Sequence, residues 1–87
     1  PLYIASGHSH VEVVKLLVEA GADIDKAKDS GATPLNVASY QGHVEVVRAL
    51  LDGGADKTLA TNIGTTPLMI AKQMNHPEIV ALLEAAA

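Results

Sequence analysis

A period of 33 residues governs this chain. Pro1, Pro34 and Pro67 are spaced by it and each is followed by leucine (Leu2, Leu35, Leu68). Ala5, Ala38 and Ala71 keep the same step, as do His10, His43 and His76. The run His10-Val11-Glu12-Val13-Val14 recurs unchanged as His43-Val44-Glu45-Val46-Val47 and weakened as His76-Pro77-Glu78-Ile79-Val80. Gly21-Ala22-Asp23 recurs as Gly54-Ala55-Asp56, and residues 1–33 match 34–66 without a gap at 16 of 33 positions. Self-similarity at one fixed period marks an array of stacked units, none of which buries its apolar face alone. The chain reads as one domain, 1–87, built from units 1–32, 33–65 and 66–87.

Local signals agree within each unit. Thr33 suits an N-cap and Pro34 the first helical position, where a missing N–H costs nothing. A short helix is predicted from there to Gln41, stopped by Gly42 in a left-handed turn. A second helix is predicted over Val44–Asp52. Its apolar residues Val46, Val47, Leu50 and Leu51 share one face, with Glu45, Arg48 and Asp52 opposite. Gly53-Gly54 ends it. Ala55–Thr65 lacks a helical stripe and reads as an extended turn or hairpin.

These residues identify a resemblance. Thr33-Pro34-Leu35…Ala38…Gly42-His43-Val44-Glu45-Val46-Val47…Leu50-Leu51…Gly54-Ala55-Asp56 resembles the ankyrin repeat, with its 33-residue period and T-P-L and G-A-D anchors. The resemblance covers essentially the whole chain. It implies an all-α solenoid of stacked helix-turn-helix units joined by short β-hairpin loops. Several positions depart from the family pattern. The histidine after T-P-L is Tyr3, Asn36 and Met69; Asn36 can replace its turn hydrogen bond and Met69 cannot. The glycine before histidine becomes Ser9 and Asn75, and asparagine tolerates the left-handed conformation well. The turn aspartate becomes Lys28 and Thr61; Thr61 can still accept a turn hydrogen bond and Lys28 cannot, so the first hairpin is expected to be looser.

The two ends read differently. In the third unit Lys72 stands where Ser6 and Ser39 are small, Pro77 opens the second helix, and Glu84 replaces Val18 and Leu51, which resembles an ankyrin C-terminal cap. The start begins mid-motif, and its first helix, Leu2-Tyr3-Ile4-Ala5-Ser6, is as apolar as an internal copy. The expectation is a C-terminal part of a longer array whose face around Leu2, Val13 and Leu17 is under-covered and self-associates.

Composition removes several functions. Ten acidic residues against six basic give a net charge of −4, a poor match for a phosphate backbone, so nucleic acid is not expected as a partner. There is no cysteine, which removes thiolate catalysis and cysteine-type zinc sites. No apolar run approaches the roughly 18 residues of a membrane span. His10, His43 and His76 would form a row at repeat spacing, about 10 Å apart, too far for shared coordination, so each is expected to bond backbone in the turn of its own or the next unit. His8 and His10 form a lone H-x-H without a third ligand. Glu12, Glu19, Glu45 and Asp52, beside Lys15 and Arg48, read as surface ion pairs rather than acid–base machinery. No catalytic residue, metal or cofactor is expected. Asparagine hydroxylation, known in some ankyrin repeats, is not expected either, because its position holds Asp25 and Thr58.

What the resemblance implies is a non-catalytic, protein-binding module, cytoplasmic or nuclear, that contacts its partner through a concave surface of hairpin tips and first-helix ends. Carried onto this sequence, that surface comprises His8, Asp29, Ser30, Ala32, Tyr40, Gln41, Asn62, Ile63, Thr65, Gln73 and Met74, with the small residues Gly7, Ala27 and Ala60 among them. Tyr40, Ile63 and Met74 are large at positions the fold does not need buried, and they are the expected anchors. The competing reading is that Tyr40 and Met74 pack on neighbouring helices and Ile63 rests on Leu59. Lys26 and Lys28 add a small positive patch. Two other roles fit the same sequence: an ankyrin segment regulating a larger enzyme or channel, or a structural spacer. A designed consensus array fits less well, because the third unit keeps only 7 identities in 21 positions against the second.

Overall fold

A computed structural model describes residues 10–21 and 23–85. Among these residues five helices follow in order: α1 (Val11–Glu19), α2 (Pro34–Gln41), α3 (Val44–Asp52), α4 (Pro67–Gln73) and α5 (Pro77–Ala85). No strand forms among the described residues. The first helix expected near Leu2, together with Tyr3, Gly7, His8 and Ser9, lies outside them.

The helix ends are set by short polar contacts. Thr33 Oγ1 accepts from the Asn36 amide at 3.2 Å, and Asn36 Oδ1 accepts from the Thr33 amide at 2.8 Å. This is a reciprocal capping box with asparagine at the third helical position, so Asn36 does take over a turn-fixing role. At the equivalent place in α4 only half of the box survives. Thr66 Oγ1 accepts from the Met69 amide at 3.3 Å, and a methionine side chain offers no good acceptor in return. α2 ends at Gly42 with φ +78°, and Asn75 takes the same turn after α4 at φ +57°, the one positive-φ non-glycine residue among those described.

α2 and α4 form an inner layer and α1, α3 and α5 an outer one. Within units α2 packs on α3 and α4 on α5; between units α2 packs on α4, α1 on α3 and α3 on α5. Val14, Leu35, Ala38, Val46, Val47, Leu50, Ala71, Ile79 and Leu83 are the buried apolar centre of this arrangement. Glu45, Arg48 and Asp52 face solvent, as the helical stripe requires. Of the ion pairs expected on these faces, Arg48–Glu45 forms at 3.8 Å; Lys15 pairs with neither Glu12 nor Glu19 among the described residues.

The links between units are tight turns rather than ladders. The Lys28 amide donates to the Ala32 carbonyl at 3.0 Å, and the Thr61 amide to the Thr65 carbonyl at 2.9 Å. Gly31 and Gly64 occupy the left-handed position, at φ +80° and +83°. Each is a three-residue hairpin loop closed by one rung, which is why no strand develops. Thr61 accepts from the Thr65 amide at 3.3 Å, and in the first turn Ser30 Oγ serves a comparable purpose, accepting from Ala32 at 3.4 Å.

Two departures in the third unit find each other. Lys72 and Glu84, each in place of a smaller or apolar residue, pair at 3.9 Å on the exposed far side of α4 and α5. Lys57 stands where the first unit has Ile24, and its ammonium donates to the Leu83 carbonyl at 2.8 Å, satisfying one of the open carbonyls at the end of α5.

Candidate functional site

The sequence-predicted contact residues fall into two rows. One row is the turn tips, with Asp29, Ser30 and Ala32 in the first described turn and Asn62, Ile63 and Thr65 in the second. The other is the C-terminal ends of the inner helices, with Tyr40 and Gln41 closing α2, Gln73 the last residue of α4, and Met74 its C-cap. The eight residues of α2 separate the rows by roughly 12 Å along its axis, at about 1.5 Å per residue. His8 lies outside the described residues.

Successive turn tips are bonded to each other. The Asn62 amide donates to the Ser30 carbonyl at 2.8 Å, and Asn62 Nδ2 donates to the Asp29 carbonyl at 2.7 Å. This seating is possible because residue 31 has no side chain. A Cβ on Gly31 would stand 2.7 Å from Asn62 Oδ1 and 2.8 Å from its backbone nitrogen. Asn62 is therefore committed to stacking, while the side chains of Asp29 and Ser30 stay exposed because the lock uses only their carbonyls.

The helix-end row has its own link. His76 Nε2 lies 3.1 Å from the Tyr40 carbonyl oxygen, and a carbonyl only accepts, so the ring carries its proton on that nitrogen. This histidine bonds backbone, as expected, but reaches back to the preceding unit rather than to its own or the next. The reason is steric: its ring fills the space above Gly42, where a Cβ would meet Cε1 at 2.7 Å. The contact fixes the end of α2 and leaves the Tyr40 side chain free.

Three apolar side chains project from these rows. Ile63 is 89% exposed, Tyr40 52% and Met74 41%. Ile63 thus does not rest on Leu59, and neither Tyr40 nor Met74 is absorbed by packing. Ala32 and Thr65 are half-buried at the bases of their turns, and Gln41 and Gln73 are exposed. Of three further exposed apolar residues, Val13 was expected on the under-covered face and Leu16 and Met69 were not, while Leu17, expected beside Val13, is half-buried against the core. Met69 could have been found, because its departure from a turn-bonding residue leaves it no internal partner.

Six of the ten acidic residues lie on the outer helices, while Asp29 stands in the turn-tip row beside Lys28. α1, α3 and α5 together hold Glu12, Glu19, Glu45, Asp52, Glu78 and Glu84 against Lys15 and Arg48. Asp56 is held below the usual carboxylate range, first by the Thr58 hydroxyl at 2.6 Å and then by the Thr58 amide at 2.9 Å. It closes the turn after α3, while the Asp56 amide donates to Asp25 Oδ1 at 2.9 Å. The Asp25 carboxylate thus ties one unit to the next, while the Asp56 carboxylate ties only its own turn. No group of three or more metal-binding side chains gathers among the described residues, and none of their helices is long and apolar enough to cross a membrane.

Known proteins carry the same pattern. A family model described as Ankyrin repeats (3 copies) matches residues 1–61, and one described as Ankyrin repeat matches residues 63–87. The mouse protein named Ankyrin repeat and MYND domain-containing protein 1 is 50% identical over 34 residues, which is 39% of this chain. The match spans 4% of that relative's length.

Proposed function

We propose that this chain, which belongs to the ankyrin repeat family, is a non-catalytic module that binds a protein partner through the turn tips and the ends of its inner helices. Ankyrin repeats are generally protein–protein interaction modules. The observation that carries the assignment to this face is the exposure of Ile63, Tyr40 and Met74 on two rows whose backbones are already tied by Asn62 and His76. A fixed backbone loses little ordering entropy on binding, so each anchor's buried area counts more fully toward affinity. Tyrosine and methionine suit the purpose, the first as a rigid amphipathic anchor and the second as an adaptable one. The same reading places the module inside the cell, cytoplasmic or nuclear, where ankyrin repeats are common.

The test is a peptide-display selection against the immobilised chain, with the recovered sequences titrated onto variants. Tyr40→Ala and Ile63→Ser are expected to weaken binding about tenfold or more each, as truncated anchors do. Arg48→Ala, on the outer layer, should leave affinity unchanged. Circular dichroism confirms that all variants fold. Ligands that lose affinity with Arg48→Ala and keep it with Tyr40→Ala and Ile63→Ser would move the site to the outer helices and refute the assignment.

A further inference from the structure

Thr33 and Thr66 are copies of one position, so the starts of α2 and α4 can be compared bond by bond. At Thr33 the box is closed in both directions. The Asn36 amide donates to Thr33 Oγ1, and Asn36 Oδ1 accepts from the Thr33 amide at 2.8 Å and from the Thr33 hydroxyl at 3.0 Å. At Thr66 the first direction is kept: the Met69 amide donates to Thr66 Oγ1 at 3.3 Å, and the Ile70 amide to the Thr66 carbonyl at 3.0 Å. The Thr66 amide is the copy of the donor that Asn36 satisfies. It has no hydrogen-bond partner among the described residues, although Thr66 is half-buried. An open backbone N–H in such a place is uncommon, and its ordinary acceptor would be a side-chain oxygen on the third helical residue. Met69 stands there with a thioether, a weak acceptor.

We infer that Met69 is an oxidation site, and that its sulfoxide oxygen accepts from the Thr66 amide and closes this box. The added oxygen is bonded to Sδ. It therefore stands as many bonds from Cα as the side-chain oxygen of glutamine or glutamate, the residues that ordinarily complete a capping box. Met69 is 48% exposed, so an oxidant reaches the sulfur without unfolding α4. The chain holds two methionines and no cysteine or tryptophan, so Met69 and Met74 are where a peroxide acts. In the step, the sulfur lone pair attacks one oxygen of hydrogen peroxide and the O–O bond breaks. The leaving hydroxide takes the proton of the transferred oxygen and departs as water; the thioether is oxidised and the peroxide reduced. Methionine oxidation usually harms a protein by putting a polar group into its core. Met69 lies outside the core, so that penalty is absent and the new acceptor meets a waiting donor. Met74 is at the other end of α4, and its sulfoxide has no place in the box. Because Thr66 is the root of the turn that carries Ile63, oxidation of Met69 ties that turn more firmly to α4.

The 87-residue chain carrying Met74→Leu keeps Met69 as its one sulfur and serves for the test. It is treated with hydrogen peroxide in the folded state until mass spectrometry shows one added oxygen. The oxidised chain should unfold at a higher urea concentration than the untreated one. By NMR its Thr66 amide should exchange with solvent about fivefold more slowly, the factor that one hydrogen bond of ordinary net strength corresponds to. Methionine sulfoxide reductases should reverse both changes. Met69→Gln, which brings an oxygen to the same distance without oxidation, should move the midpoint and the Thr66 amide in the same directions. Failure of peroxide to add oxygen to Met69 in the folded chain overturns the site. An unchanged Thr66 amide in the oxidised chain overturns the hydrogen bond, and a lowered urea midpoint overturns the closing of the box. A response to peroxide that persists when Met69→Leu is combined with Met74→Leu overturns the assignment to this sulfur.

Discussion

Replacing Gly42 by alanine should damage the array in two separable ways. The first is local: residue 42 sits at φ +78°, where a Cβ costs about 1–2 kcal/mol. The second lies between units. The new Cβ would stand 2.7 Å from His76 Cε1 and 3.0 Å from Nδ1, closer than real carbon contacts allow, so the ring must leave. When it leaves, the 3.1 Å bond to the Tyr40 carbonyl breaks, a further loss of about 0.5–1.5 kcal/mol. Together these predict about 1.5–3.5 kcal/mol, a large share of the roughly 4–13 kcal/mol expected for a chain of this length.

A double-mutant cycle separates the two effects. His76→Ala alone loses the hydrogen bond and the ring's packing. In the double variant the ring is already gone, so Gly42→Ala costs only its backbone strain. Urea unfolding followed by circular dichroism should therefore give a combined loss smaller than the sum of the single losses by about 1 kcal/mol. Additivity within about 0.3 kcal/mol would mean that the ring and residue 42 do not touch, and the steric argument for glycine at this position would fail.

Ser39 Oγ is fully buried without a hydrogen-bond partner, so Ser39→Ala should be neutral or stabilise the fold by up to about 1 kcal/mol, read as a raised urea midpoint. Val46→Ala empties a fully buried site and should cost about 1–3 kcal/mol, while Val13→Ala, at the same register but half exposed, should cost less than about 1 kcal/mol at micromolar concentration. Asp56 is held below the usual carboxylate range by Thr58, so its contribution to stability is full at neutral pH and is lost as pH falls through the lowered value. Asp56→Asn should therefore unfold in acid with a flatter pH dependence than the parent chain, and an unchanged slope would remove Asp56 from that account.

The helices were legible because their signals are local. Threonine before proline, glycine after the last apolar residue and a stripe at helical spacing predicted α2 and α3 with the bounds they have. The links between units were less legible, because they depend on which atom of one copy meets which atom of the next. Nothing in the sequence marks Asn62 as the residue that grips the preceding turn, since asparagine is also an ordinary turn residue. Lys57 looks like surface charge until the end of α5 is placed beside it. The histidine row was visible as a row, yet the direction of the His76 bond needed the depth of the space over Gly42. The candidate face was legible as three large residues at positions with no internal use. That they remain exposed depended on packing that only the fold supplies.

The locks also explain how such an array can vary the side chains on its proposed contact surface. Asn62 holds the preceding turn by the carbonyls of Asp29 and Ser30, and His76 holds α2 by the carbonyl of Tyr40. Every one of those acceptors is main chain, and main chain is the same whatever side chain is attached. Positions 29, 30 and 40 can therefore change identity without loosening the stack, and the copy of position 30 is already isoleucine at 63. The constraint falls on the donors Asn62 and His76 and on the two residues that make room for them, Gly31 and Gly42. Stability and the proposed recognition thus draw on different atoms of the same short segments. A substitution at 29, 30 or 40 should alter the partner far more than the melting point, whereas one at 31, 42 or 62 should do the reverse.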